Sequence, residues 1–593
     1  MMPFLREVTV GMRLIVTGAV LISLGACGDS ISVDTGGSDA EAPTTRPDFG
    51  GVRNASCDDT GRSMPGAPPV GESRDGLVCR ISIPSPVNPQ DDVVFQVFEP
   101  VTLTGGEFYP LVLEGHGFSS SRQTDDGGAG VPGLSSPIGA LRDAGYGIIS
   151  IDQAGHGETG GTIRIMDPDQ EGRMLVAILD WLEVNLDWYA VGPDLAAGSD
   201  NMVLGAIGPS YGGGYQHVLH AVDAKQRLDA LVPQITWHDL TYSLNPGGVI
   251  KALWASILFG IGNTAGGGGN FDPFVTDTFV GGLAANRIAP LGQDLLRYHG
   301  PGYFCDGVPV ATNGGADTAP GFEPVLPGPV HVLYFQGMRD TLFNFTEAQR
   351  NFECYRNLGG DVRLLSYQAG HNSLQVVPDP VALVTQPDGV LDFDCGAINA
   401  DVATIAWFDE YLKGIPGAAN AVLGAEPVCL SLSPGDAVRA EDVTVGGSGF
   451  TVPETGTLAG VNRVRAIAPL YTAAADGEVL AGVPTVDLML TADAPELLQD
   501  PDNVIVFVGT GRSRNGIWEL ADNQVQPLRG IGRHQIALPG IGERLSAGDQ
   551  VGLLLFGLHE QYLITGGVNV ADPVIAAVSI TGSAAMPLLG VQP

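Results

Sequence analysis

The sequence predicts an α/β unit built on a largely parallel sheet covered by helices on both faces, followed by an all-β unit of sandwich type. Three observations carry this expectation. Short apolar β-type runs alternate with helical segments from about Leu77 to Pro427, and one long interval, Trp237 to Pro329, breaks that rhythm. Beyond Pro427 the helical signals vanish, while strand-like runs recur between turn residues. A chain of 593 residues suits such a division, because single cores stop growing near ~250 to 300 residues.

At the N-terminus, Arg6 and Arg13 precede an apolar run from Leu14 to Leu24, the layout of an export signal and too short for a spanning helix. Leu24-Gly25-Ala26-Cys27 resembles the bacterial lipobox, which implies a signal over residues 1–27 and a lipid on Cys27. Gly28 rather than Asp follows, which by the same resemblance favours the outer membrane or cell surface; a plain cleaved secretory signal is the alternative. Residues 28–75 are expected to be a flexible tether, since Gly28 to about Gly51 has too few large apolar side chains to order itself. About 24 such residues span roughly 25 to 30 Å. Export places Cys57, Cys79, Cys305, Cys354, Cys395 and Cys429 in an oxidising compartment, so three disulfides are expected, Cys57 with Cys79 among them.

Residues 76–427 form the expected α/β unit. Its strand candidates are Leu111 to Glu114, Gly147 to Asp152, Met202 to Ile207, Ala230 to Ile235, Val330 to Phe335 and Val362 to Tyr367. Helix candidates lie near Pro137 to Asp143, Gly172 to Glu183, Gly213 to Val222, Thr346 to Arg356 and Val402 to Leu412. The interval 237–329 is an inserted cap, in which the apolar segment Val249 to Ile261 precedes the glycine run Gly266 to Gly269. That segment is a lid helix beside a hinge, or else plain core packing. Residues 428–593, with runs such as Val486 to Leu490 and Val551 to Leu558, form the expected β-sandwich of jelly-roll type.

Charge excludes some functions. Lys and Arg total 29 against 66 Asp and Glu, a net −37, which repels nucleic acid and anionic lipid head groups. Contact with a membrane is therefore expected through the lipid anchor alone. No CxxC or His-rich spacing suggests a metal, and no cofactor motif is found.

The sharpest local signal is Gly208-Pro209-Ser210-Tyr211-Gly212, a G-x-S-x-G between the run Met202 to Ile207 and a helix candidate. Strand, motif and helix in that order make a nucleophile elbow, which exposes a serine hydroxyl at a helix N-terminus. Serine is a poor nucleophile at neutral pH, so a base must take its proton and a third group must orient the base. Val330 to Phe335 delivers Asp340, and Val362 to Tyr367 delivers His371, both just past strand carboxyl ends. The order Ser210, Asp340, His371 is the one α/β-hydrolases use. Asp306, Asp317 and Glu323 lie in the cap, and Asp392 and Asp394 follow His371, so none sits at a strand end between serine and histidine. His217 and His220 read as packing residues, and His116 as a structural residue beside the oxyanion hole. The oxyanion donors are expected to be the backbone N–H groups of Tyr211 and Phe118. Asp152 to Gly157 is expected to shape the mouth of the site.

These residues resemble the Xaa-Pro dipeptidyl-peptidase-like and cocaine-esterase-like serine hydrolases. The likeness lies in the Gly-Pro-Ser-Tyr-Gly-Gly elbow, in a cap that opens with Trp237-His238-Asp239-Leu240-Thr241-Tyr242, and in a β-rich C-terminal unit. It implies a jelly-roll beside the active site and carries nucleophile, acid and base onto Ser210, Asp340 and His371. Some members place a tyrosine hydroxyl in the oxyanion hole, where this chain has His116-Gly117-Phe118. The function expected is therefore an exported ester hydrolase working through an acyl-enzyme on Ser210. An Xaa-Pro dipeptidyl aminopeptidase or other amide hydrolase is the alternative, and a tethered glycan- or polymer-binding protein with a degenerate hydrolase unit is an alternative of another class.

Overall fold

The computed structural model describes residues 54–58, 75–82 and most of 92–590, the longest omissions in that range being 125–136 and 563–573. Arg6, Arg13, the lipobox with Cys27 and the glycine run 266–269 lie outside the described residues.

The first unit is an 11-stranded sheet. In chain order its strands are β1 (Asn54–Asp58), β2 (Asp75–Ser82), β3 (Asp92–Phe98), β4 (Leu111–Gly115), β5 (Gly147–Ile151) and β6 (Leu204–Pro209). They continue with β7 (Ala230–Gln234), β8 (His331–Gly337), β9 (Val362–Tyr367), β10 (Val428–Ser433) and β11 (Asp436–Ala440). Across the sheet they run β1-β2-β3-β5-β4-β6-β7-β8-β9-β10-β11. Neighbours from β5 to β10 pair parallel, and the outer strands pair antiparallel. The central strands are buried along their whole length, which is why they read as continuous apolar runs. Helices α1 (Ile138–Asp143), α2 (Glu171–Asn185), α3 (Tyr211–Val222), α9 (Phe345–Arg356), α10 (Ala400–Tyr411) and α11 (Ala418–Leu423) flank the sheet, and the apolar core divides into one cluster for each face.

The cap supplies α4 (Leu240–Leu244), α5 (Ala252–Thr264), α6 (Pro273–Ala285), α7 (Pro290–Tyr298) and α8 (Pro301–Asp306). Pro opens the last three, and the Asp239 and Asp272 side chains accept from the first-turn amides of α4 and α6. Chemistry therefore sets where these helices begin.

From Ser448 onward the chain is antiparallel. Strands Ser448–Ala459, Ala576–Met586, Thr485–Ala492 and Gly532–Ala537 make one sheet, while Ala466–Thr472, Gln550–Phe556, Ile505–Arg514, Ile517–Leu520 and Gln526–Arg529 make another. The inward residues of both, such as Val486, Leu488 and Leu490 against Val551, Leu553 and Leu555, share one cluster, the core of a β-sandwich.

Two expected boundaries move. The run from Val428, assigned to the sandwich, lies parallel to β9 as β10 and carries β11 with it, so the first unit extends to Ala440. A local run cannot show which sheet it joins. The Cys395–Cys429 disulfide, linked over 34 residues, holds β10 there. At the other end β1 lies inside the stretch expected to be tether, because it pairs with β2. A disulfide also joins Cys305 to Cys354. Register sets Cys57 opposite Cys79, whose side chains lie outside the described residues.

Candidate active site

Ser210 occupies the sharp turn between β6 and α3 with φ 59° and ψ −114°, a conformation that non-glycine residues adopt at an energetic cost of about 1 to 3 kcal/mol. Close packing holds it there. A Cβ built on Gly212 would lie 2.0 Å from the Gly115 carbonyl oxygen, and one on Gly208 would lie 2.3 Å from the same atom. The Ser210 amide also donates to the Gln234 carbonyl of β7 at 2.8 Å.

Three side chains from separate strand ends meet in one chain of hydrogen bonds. His371 Nε2 is 2.9 Å from Ser210 Oγ, and His371 Nδ1 is 2.8 Å from Asp340 Oδ2. Asp340 is fully buried, and its Oδ1 accepts from the amides of Leu342 (2.8 Å) and Phe343 (2.9 Å). With its lone pairs thus satisfied, the carboxylate aims one oxygen at the imidazole and fixes the tautomer that bares Nε2 toward the hydroxyl. Such a chain can take a proton from Ser210. Sequence reasoning named these residues, and the fold brings all three together.

Tyr211 opens α3, where first-turn amides have no acceptor within the helix. The Phe118 ring packs edge-on against that of Tyr211, with centroids 5.4 Å apart, which sets the 116–118 loop beside the elbow. His116 is satisfied within this loop region: Nδ1 lies 2.8 Å from the Gly117 carbonyl, and Nε2 accepts from the Gln153 amide at 3.1 Å. Burial lowers its pKa to about 4, so it stays neutral. His217 and His220 are buried against the Tyr355 ring and stand away from the triad contacts.

An apolar cavity opens on Ser210, walled by Phe118, Ile165, Trp237, Leu258, Phe259 and Phe343 among others. No charged side chain lines it among the described residues. The cap run Val249 to Ile261 does serve the site: α5 contributes Leu258 and Phe259 to the wall and sets the Trp254 ring edge-on to His371.

Three functional neighbours were not singled out from sequence. Ile165 reaches the cavity from a stretch where it and Met166 both have positive φ (65° and 62°), unusual for a β-branched residue. Buried Glu171 ties this stretch down, accepting from the Asp167 amide and from Tyr211 Oη at 2.9 Å, and burial pushes its pKa up to about 7. Lys251 lies behind Asp340. A lone lysine inside an apolar run was its available signal, whereas nothing local marks Glu171.

Fold and site together define a serine hydrolase of the α/β-hydrolase class. The family model of the X-Pro dipeptidyl-peptidases (S15 family) matches residues 91–263, a range that includes the elbow, so the resemblance seen in the sequence is borne out. A CocE/NonD family hydrolase from Staphylococcus aureus superposes with a TM-score of 0.53 at 12% identity, covering 90% of this chain and 99% of that one. An aminopeptidase from the marine sediment archaeon Thaumarchaeota archaeon superposes with a TM-score of 0.52 at 11% identity, with the same coverage. At such identities the likeness is one of fold, and it spans both units. No curated protein matches the chain in sequence.

Proposed function

We propose that this protein hydrolyses carboxylic esters with an apolar acyl or aromatic group, through an acyl-enzyme on Ser210. His371 takes the Ser210 proton as Oγ attacks the ester carbonyl, and returns it to the leaving alkoxide as the C–O bond breaks. A water molecule, deprotonated by the same imidazole, then attacks the acyl-enzyme, and Ser210 regains its proton. Asp340 keeps the imidazole oriented and stabilises its charged form. The Tyr211 and Phe118 amides are the proposed donors to the tetrahedral oxyanion, each such donor contributing about 2.7 to 4 kcal/mol.

The observation that carries this reading is the Asp340–His371–Ser210 chain opening on a cavity whose described lining residues carry no charge. An aminopeptidase must hold a substrate ammonium, and an apolar wall gives that cation no partner. The amide reading keeps one argument, the dipeptidyl-peptidase family model over the elbow. Release of p-nitrophenol from a panel of acyl esters, abolished in Ser210→Ala, is the expected result. Release of p-nitroaniline from aminoacyl-proline anilides instead would move the assignment to a peptidase.

We further propose export and lipid anchoring at Cys27, on the strength of the apolar run and the lipobox. Mass spectrometry of the mature N-terminus is expected to find a diacylglyceryl-modified Cys27, and an unmodified chain cleaved elsewhere would refute the anchor.

A further inference from the structure

Lys251 stands immediately before α5, wholly buried. Its amide donates to the Leu244 carbonyl at 2.8 Å, and its own carbonyl accepts from Ala255 at 3.0 Å, which fixes the backbone on both sides. The ammonium donates to two main-chain carbonyls, Thr341 at 2.8 Å and Leu342 at 3.2 Å. Those peptides form the turn whose next amides, Leu342 and Phe343, hold Asp340 Oδ1. Trp254 reinforces the same turn, donating Nε1 to Thr341 Oγ1 at 3.0 Å while its ring abuts His371.

A buried cation costs several kcal/mol in lost hydration, and neutral carbonyls repay that poorly. A methionine would fill the space without this penalty. The charge itself therefore needs a reason. The groups facing it are the Asp340 and Glu347 carboxylates, whose attraction opposes a burial effect that draws the lysine pKa down to about 8.

We propose that Lys251 is a positioning residue for the triad: it clamps the 341–343 turn that orients Asp340 toward His371. The proposal rests on the Ser210–His371–Asp340 mechanism above. It also gives the β-sandwich a route to the site. Val249 is buried in one cluster with Phe507 and Tyr562, and the Leu253 amide donates to the Gln561 carbonyl at 3.0 Å, so the segment flanking Lys251 is docked on that unit.

The test uses K251M and K251Q in the mature full-length protein, with two readouts. The first is the rate of Ser210 modification by a fluorophosphonate, which needs no knowledge of the natural substrate. The second is the split of kcat and KM for p-nitrophenyl butyrate. Both variants lose the charge. K251M also loses the donors, so its kcat is expected to fall by about tenfold or more with KM little changed, while the amide of K251Q restores part of that loss. Should K251M fail to fold, K251Q carries both readouts. An unchanged labelling rate and kcat in the folded variants, or a loss confined to KM, would overturn the proposal. Absence of Ser210 labelling in the unaltered protein would instead sink the triad mechanism itself.

Discussion

Gly212 sits where α3 passes closest to the end of β4, and the space there is set by main-chain atoms that cannot rotate away. Gly212→Ala would place its Cβ 2.0 Å from the Gly115 oxygen, so α3 must retreat and carry Ser210 with it. Overpacking of this kind destabilises by about 1 to 3 kcal/mol, and a displacement near 1 Å lowers turnover by about 10²-fold. Thermal unfolding and ester kinetics together read both effects. Glu171 gives a contrasting case, because it acts on the wall of the cavity. In Glu171→Gln one of the two acceptor oxygens becomes an amide donor, so either the Asp167 amide or the Tyr211 hydroxyl proton loses its present acceptor. The strained Ile165–Met166 pair then loses its anchor, and the expected result is a raised KM for long acyl esters with a smaller change in kcat. A kcat loss at constant KM would contradict this. The contrast also explains what was legible in the sequence. The triad lies just past strand ends in an order that a motif and an alternating pattern expose, whereas Glu171 and Lys251 act through contacts that only the folded chain creates.

Among the elements, the cap owes its position to covalent and polar ties as well as to packing. The Cys305–Cys354 disulfide links α8 to α9 across a sequence separation of 49 residues. Trp237 Nε1 donates to the His299 carbonyl at 2.9 Å, and Asn351 Nδ2 to the Trp237 carbonyl at 3.1 Å. By the entropy of closing a loop of that length, removing the disulfide costs about 4 kcal/mol. The Cys305→Ser, Cys354→Ser double variant is expected to unfold at lower denaturant than the parent, both measured without reductant so that the Cys395–Cys429 disulfide stays intact. Equal midpoints in the two would show that the side-chain ties suffice alone. The cap's existence was legible as a break in the βα rhythm. The partners of its cysteines were not, since spacing alone leaves many pairings open. The same limit displaced the boundary near Val428, where a β-type run looks alike whether it joins a parallel sheet edge or a sandwich.

At the scale of the molecule, the sandwich is tied both to the cap and to the first unit directly. Arg529 donates to the Gly248 (2.6 Å) and Asn286 (2.9 Å) carbonyls, Gln524 donates to the Met338 carbonyl at 2.6 Å, and Val249 enters the cluster of Phe507 and Tyr562. His559 is buried at this junction against the Phe507, Phe556 and Tyr562 rings, and burial lowers its pKa from 6.5 to about 3. Between those two values the folded protein holds this histidine neutral, while the unfolded chain binds a proton on it. Unfolding therefore takes up that proton, and the histidine's contribution to stability, intact above pH 6.5, is lost as pH falls toward 3. His559→Phe removes the linkage and leaves a ring in the same place. The gap in unfolding free energy between variant and parent is expected to widen in the variant's favour by about 1.4 kcal/mol for each unit of pH below 6.5. Denaturant titrations at a series of pH values measure that slope. A gap that stays constant from neutral pH to pH 4 would mean that this junction opens to water before the rest of the molecule unfolds, and that the sandwich docks on the cap as a separable unit.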